Sequence, residues 1–301
     1  MNNKNVTITV GISAYNEEKT IKRVIEAVLK QKAEGWLLKE ILITCDGCND
    51  QTAEKARQVK SKLVNVIDDG KRLGKALRMG QIFKQAEGEF ILMLDADIEI
   101  KSNQVISNLV KPFKNEDVAL VGGNTRPKKP ITFFEKAVYS TFLVFDESRK
   151  KMNNGHNIFG CTGACMMMRK SFAKSLKFPK VMNEDDFIYF SCLKQKRKFV
   201  HVSDSVVYYR LPTKLSDYLK QVFRSNPEAV RVSLNKRFKG LVEKEYRRPL
   251  NFYFNTIIKV LFQYPVPTLY IVFINSLCRP FFSLISKNYK LTWFTATSTK
   301  N

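Results

Sequence analysis

The chain has 301 residues, 44% of them hydrophobic and 26% charged, with 13 Gly and 10 Pro, which excludes a disordered, collagenous or disulfide-stapled chain and suits one large α/β domain or two small ones. Lys and Arg number 51 against 28 Asp and Glu, a net +23. The excess gathers toward the C-terminal end, where residues 187–301 carry 20 basic and 5 acidic side chains, and it calls for a polyanionic partner: nucleic acid, an anionic membrane surface or a phosphorylated substrate.

The opening residues, MNNKNVTITVGISAYNEE, hold no charged segment followed by an apolar one, so no secretory signal is expected. Six Cys without such a signal are expected to be reduced thiols in the cytoplasm. In the first half, apolar β-branched runs alternate with helical patterns. Strands are predicted at 6–12, 41–45, 63–67, 90–94 and 118–121, and helices at 18–31, 52–60, 75–85 and 103–113. This alternation implies βαβ units in a doubly wound, mostly parallel α/β sheet. Further on, helices are predicted at 132–150, 185–194 and 215–224, a strand at 163–168, and a strand pair at 199–202 and 205–209. Residues 251–286 are strongly apolar, with Lys259 and Arg279 as their only charges. Pro265, Pro267, Gln263 and Asn275 count against a straight spanning helix, and two interfacial or re-entrant helices joined at 264–267 fit the pattern as well as a span does.

The strands end in carboxylates: Cys45 runs into Asp46, Ile67 into Asp68 and Asp69, Leu94 into Asp95. Open α/β sheets bind ligands outside the carboxyl ends of their strands, so this edge reads as a site. Asp95-Ala96-Asp97 leaves the apolar run FILML. Two carboxylates so spaced can hold a hard divalent cation, which would neutralise a diphosphate leaving group. Ordinary strand-exit turn residues are the plain alternative. The first strand leads into Ser13-Ala14-Tyr15-Asn16-Glu17-Glu18 instead of a G-x-G-x-x-G turn or a P-loop, which disfavours a dinucleotide oxidoreductase or a P-loop NTPase. GKRLGKALRMG, residues 70–80, is a Gly- and Lys-rich helix entry suited to an anion. Asn183-Glu184-Asp185-Asp186 reads by itself as a helix N-cap with an acidic first turn.

Taken in order over residues 6–224, these elements resemble a family-2 glycosyltransferase of the GT-A fold. SAYNEEKTI is similar to that family's nucleotide-binding opening, CDGCNDQT to its D-D-G-S-x-D-x-T run, and LDADIEI to its D-x-D strand end. GKALRMG is similar to the G-K-x-x-A-L-N-x-G element, with a shorter spacing that leaves Lys71 as an alternative counterpart to Lys75. GCTGA at 160–164 resembles the acceptor loop, NEDDF at 183–187 the T-E-D-x-x-L segment, and QVFR at 221–224 the start of Q-x-x-R-W. The resemblance implies that Tyr15, Glu17 and Asp46 surround the base and ribose of a UDP- or GDP-sugar, with Lys75 and Asp95 beside them. It implies that Asp97, with Asp95, ligates Mg2+ or Mn2+ at the diphosphate. Asp185 would deprotonate the acceptor hydroxyl, and Gln221 and Arg224 would lie near diphosphate and acceptor. The chemistry agrees, since inverting transfer needs a carboxylate facing the attacking oxygen, and Glu184 or Asp186 beside Asp185 would raise its basicity.

The departures are specific. Cys45 stands for the first acidic residue of the D-D pair and Cys48 for Ser; Val207-Tyr208-Tyr209-Arg210 lacks the His many members carry there; Ser225 replaces the Trp associated with processive synthases. The last points to single-sugar transfer. Cys45-x-x-Cys48 and Cys161-x-x-x-Cys165 admit zinc or redox chemistry by spacing, but 112 residues part them, and free thiols are the plainer reading.

The basic residues between Lys194 and Arg248 adjoin the apolar 251–286 segment and read as a cytoplasmic membrane-surface patch; no nucleic-acid module accompanies them. The expectation is a membrane-associated inverting glycosyltransferase facing the cytoplasm, with a catalytic domain at 1–248 and an apolar, basic tail at 249–301. Its acceptor would be a lipid or lipid-linked saccharide. The competing class is a non-catalytic basic adaptor of the same fold that binds anionic lipid or nucleic acid.

Overall fold

A computed structural model describes residues 5–178, 183–224, 234–247, 250–286 and 297–300. The strands β1 (Val6–Ala14), β2 (Trp36–Cys45), β3 (Val64–Asp68), β4 (Phe90–Asp95), β5 (Glu99–Ile100), β6 (Val118–Pro127), β7 (Cys165–Arg169) and β8 (Lys198–Tyr209) form one eight-stranded sheet ordered β3-β2-β1-β4-β7-β6-β8-β5. Helices α1 (Ile21–Leu29), α2 (Thr52–Arg57), α3 (Lys75–Gln85) and α4 (Val105–Val110) connect the first strands. α5 (Phe133–Lys151), α6 (Lys170–Ser175), α7 (Glu184–Lys194), α8 (Leu215–Arg224), α9 (Leu241–Tyr246), α10 (Leu250–Gln263) and α11 (Pro265–Ser286) follow.

The chain divides into two compact units. The first comprises residues up to 126, 160–209 and Lys300; the second comprises 127–159 and 210–299. The boundary expected after Arg248 falls within the second unit.

In the first unit, β1 to β4 pair in parallel and read as near-continuous apolar runs because helices cover both faces of the sheet. On one face Ile8, Val10 and Ile12 pack with Ile21, Val24, Ile25 and Val28 of α1, Ala53 and Ala56 of α2, and Ile106 and Leu109 of α4. On the other, α3 lies so close to β1 that a Cβ at Gly11 would stand 2.7 Å from Ile82 and 2.6 Å from Met93. Gly88, just before β4, is pressed against backbone instead: a Cβ there would meet the Thr9 amide and come within 2.7 Å of the Ile8 carbonyl carbon. Backbone in a paired strand cannot yield as a side chain can. Gly88→Ala is therefore expected to cost about 1–3 kcal/mol, read as a lower urea midpoint at unchanged m value.

Two features of this unit differ from the sequence pattern. β7 runs antiparallel to β4 and β6, so the sheet is parallel on one side of β4 and antiparallel on the other. The strand pair predicted at 199–202 and 205–209 is the single strand β8. Ser203 and Asp204 suggested a turn, but the Asn124 side chain donates to the Ser203 carbonyl at 2.8 Å, and Ser205 turns inward to donate to the Val105 carbonyl at 3.1 Å. Their polarity is that of an exposed strand segment.

In the second unit, Thr132 and Glu135 form a capping box at the start of α5, satisfying two otherwise orphaned amides. The apolar 251–286 segment is two helices, broken at Tyr264. Pro265 begins α11, where a missing N–H costs nothing. α11 packs along α5, with a Thr268–Ser140 hydroxyl hydrogen bond of 3.0 Å, and the Tyr218 hydroxyl of α8 donates to Asn275 at 2.8 Å. Among the described residues no helix is long and apolar enough to cross a membrane.

Candidate active site

The parallel register brings the carboxyl ends of four strands level: Ser13 pairs with Asp95, Ala14 with Cys45, and Cys45 with Asp68. The loops that leave this edge carry most of the predicted site.

Asp46, one residue past β2, is buried and its carboxylate is heavily bonded. It accepts from the amides of Leu73 at 2.7 Å and Gly74 at 2.9 Å, from Arg78 Nε at 3.1 Å, and from the Arg72 guanidinium. Gly74 adopts φ 94°, a left-handed conformation open to glycine, and that geometry presents its amide to Asp46 as α3 begins. Arg78 is fully buried and also holds Asp69 at 2.6 Å. Asp46 thus shapes the 70–74 loop. Arg72 lies flat on the Tyr15 ring, 3.3 Å from its centroid.

Glu17 is buried on the same side. Burial first, then the neighbouring charge of Asp97, raise its pKa to about 7, against the opposing pull of Lys300. Lys300 pairs with the Glu17 carboxylate at 2.6 Å and donates to the carbonyls of Tyr15 and Asn16, both at 2.7 Å. No local pattern in the sequence pointed to Lys300, which lies 285 residues from Tyr15. Arg72 and Arg78 stood inside the Gly- and Lys-rich run but carried no signal of their own.

Asp95 ends β4, and Lys75 reaches it at 2.6 Å from the first residue of α3. The same ammonium holds Glu184 at 2.9 Å. Burial disfavours the Lys75 charge, but Asp95 and Glu184 outweigh it and keep the pKa above its ordinary value. Next to the buried Glu184, Asp185 is half-buried, and its carboxylate accepts from the Gly163 amide at 3.1 Å and the Asp186 amide at 3.0 Å. Burial, then the charge of Glu184, push Asp185 up to about 6, with Lys75 and the two amides pulling the other way. Glycine at 163 admits this closeness: a Cβ would sit 3.0 Å from the Lys75 ammonium. Lys75→Met would leave Glu184 buried without its cation. It is expected to destabilise the fold by about 3 kcal/mol in urea unfolding, the low end for breaking a buried pair because Asp95 is partly exposed.

Tyr15, Glu17, Asp46, Lys75, Asp95, Asp97 and Asp185 therefore belong to one unit at one sheet edge. Gln221 and Arg224 lie on α8 of the second unit; the Arg224 side chain and Ser225 fall outside the described residues. Among the described residues no group of three or more His, Cys, Asp or Glu is placed to hold a metal ion. The hard oxygen donors at hand are Asp95 and Asp97, with the Glu17 charge close by. Two carboxylates in an anion-crowded corner fit a divalent cation whose other ligands are diphosphate oxygens. All six cysteines are free thiols.

Residues 9–177 match the model of Glycosyl transferase family 2. The chain belongs to that family. It is 24% identical over 187 residues to UDP-Glc:alpha-D-GlcNAc-diphosphoundecaprenol beta-1,3-glucosyltransferase WfgD of Escherichia coli, covering 62% of this chain and 70% of that one. It is 34% identical over 121 residues to poly-beta-1,6-N-acetyl-D-glucosamine synthase of Staphylococcus aureus, a match to 40% of this chain and only 28% of the synthase. Solved structures that share the fold include the following two. A mannosyltransferase from Pyrobaculum calidifontis, in complex with GDP-Man and Mn2+, has a TM-score of 0.58 at 16% identity, over 93% of this chain and 79% of that one. Glucosyl-3-phosphoglycerate synthase from Mycobacterium tuberculosis, with Mn2+, UDP and phosphoglyceric acid, has a TM-score of 0.55 at 17% identity, over 76% and 78%. The fold of this family-2 glycosyltransferase is GT-A.

Proposed function

We propose that this chain moves one sugar from a UDP- or GDP-sugar to an acceptor hydroxyl with inversion, Asp185 taking the hydroxyl proton as the new glycosidic bond forms. The observation that carries this reading is the half-buried Asp185 carboxylate, oriented by two amides and raised to about 6 by desolvation and Glu184. A base near that value is ionised at neutral pH yet basic enough to accept a proton. Tyr15, Glu17 and Asp46 bind base and ribose, with Lys75 and Asp95 beside them; Gln221 and Arg224 serve diphosphate and acceptor. Bound Mg2+ or Mn2+ supplies charge neutralisation for the leaving diphosphate, held by Asp97 with Asp95.

The acceptor in this reading is a lipid-linked saccharide at the cytoplasmic face of the membrane. The similarity to a glucosyltransferase whose name specifies a diphosphoundecaprenol acceptor supports it. So does the second unit, where α10 and α11 expose Phe254, Phe262, Val266, Leu269 and Phe273, with Phe262 86% exposed. The same unit carries 21 basic residues against 7 acidic ones, a charge complementary to anionic lipid. Co-flotation with phosphatidylglycerol vesicles but not with pure phosphatidylcholine is expected, and flotation with neither removes the membrane from this proposal.

The decisive experiment is a panel of UDP- and GDP-sugars tested for binding and turnover with and without Mn2+. Metal-dependent selection of one donor is expected. Binding of no donor under any condition would sink the reading in favour of the non-catalytic adaptor.

A further inference from the structure

The turn that leaves β1 closes three oxygens around one lysine. The Lys300 ammonium donates to the carbonyls of Tyr15 and Asn16, both at 2.7 Å, and to the Glu17 carboxylate at 2.6 Å. Asn16 adopts φ 54°, a left-handed conformation that Asn tolerates, and two successive carbonyls converge on one point there. The rest of the turn is tied to the 49–52 loop. The Glu17 amide donates to the Thr52 hydroxyl at 2.6 Å, the Glu18 amide to Asp50 at 3.1 Å, and the Asn49 amide to the Asn16 side chain at 3.0 Å. Lys300 is thus the donor for the carbonyl side of a turn whose amides are held elsewhere.

The Lys300 side chain is only 15% exposed, so this pair escapes most of the solvent screening that weakens a surface salt bridge. An ammonium has three hydrogens, and the turn takes all three. None remains for a phosphate oxygen, so Lys300 acts on a nucleotide through the turn and through its charge. Its charge also opposes the mutual repulsion of Glu17 and Asp97 in the same corner. Without Lys300, two carbonyls and a buried carboxylate would face one point with no donor between them. That arrangement repels a diphosphate and loosens the turn that carries Tyr15 and Glu17.

We propose that Lys300 is a positioning residue for the donor nucleotide: it closes the 15–17 turn so that Tyr15 and Glu17 stand in place for base and ribose, and its charge offsets carboxylates that would repel the diphosphate. This role rests on the reading of that edge as the donor site. It assigns a donor-side function to a residue 285 positions from Tyr15, reached by the hydrogen bonds to the turn alone. The nucleotide binds with Lys300 in place, because the ammonium braces the turn and does not compete for the ligand.

The test measures UDP and GDP affinity with Mn2+ by isothermal titration, alongside urea unfolding, for the full chain and its Lys300 variants. Lys300→Met is expected to weaken binding roughly ten- to hundredfold, the range for losing charge-assisted hydrogen bonds. Lys300→Ala should lose as much and regain most of it with propylammonium, which replaces the missing stem and its N–H groups. Tetramethylammonium, which carries the charge and no N–H, should not restore it. Unchanged affinity in the folded variants overturns the proposal, as does tighter binding, the mark of a residue that blocks the site. Equal rescue by both cations overturns the turn-closing role. Should the variants fold only with propylammonium present, affinity is read against its concentration, and affinity that does not follow it overturns the proposal. Wild type that binds neither nucleotide would overturn the donor-site reading and this role with it, an outcome distinct from equal affinity in wild type and variants.

Discussion

Asp185→Asn is expected to lower kcat by roughly 10²- to 10⁴-fold, the range for loss of a positioned general base, while donor affinity stays within about twofold. Asn keeps the shape and still accepts from the Gly163 amide, so the fold should persist and the loss should lie in the chemical step. The pH profile gives a second readout. The base acts only as a carboxylate, and its pKa is raised to about 6, so wild-type kcat should be level above that pH and fall tenfold per unit as pH drops below it. Measuring kcat at saturating donor separates this limb from Glu17, which titrates near 7 on the donor side and would register in kcat/KM. The Asn variant should lose the limb. Equal kcat in both proteins, or an unchanged acid limb in the variant, would remove Asp185 from the mechanism.

Asp97→Asn is expected to abolish the Mn2+ dependence of nucleotide binding and to lower kcat/KM by at least about 10²-fold, since a metal clamp on a leaving diphosphate supplies several kcal/mol of charge stabilisation. The effect on the metal-free protein should differ. Asp97 sits among the charges of Asp95 and Glu17, and neutral Asn relieves that repulsion, so metal-free thermal stability should not fall. Together these readouts separate a ligand from a structural residue, because a structural carboxylate would lower stability with and without Mn2+. Isothermal titration with UDP and GDP, followed by thermal unfolding, covers both.

Much of this protein was legible in the residues themselves. The alternation of apolar runs with 3.6-period segments predicted β1 to β4 and the helices between them, because a strand buried on both faces must be apolar throughout. Carboxylates one step beyond Cys45, Ile67 and Leu94 pointed to one edge of the sheet, and the register does bring those strand ends level, since parallel strands end together. The apolar 251–286 segment divides just before Pro265 for a local reason: proline suits the first helical position and disfavours helical backbone in the residue before it.

The tertiary structure decided what depends on partners distant in sequence. The direction of β7 follows from its pairing with β4 and β6, and single-strand periodicity is blind to direction. β8 stays continuous through Ser203 and Asp204 because Asn124, 79 residues away, holds the Ser203 carbonyl. The charge state of the site is equally non-local. Asp185 owes its raised pKa to burial and Glu184, tempered by a lysine from α3 and an amide from the 160–164 loop. Glu17 answers to Asp97 and to Lys300 near the other end of the chain. Residue identity told which groups can ionise; only folding set the distances and the desolvation that decide which of them do.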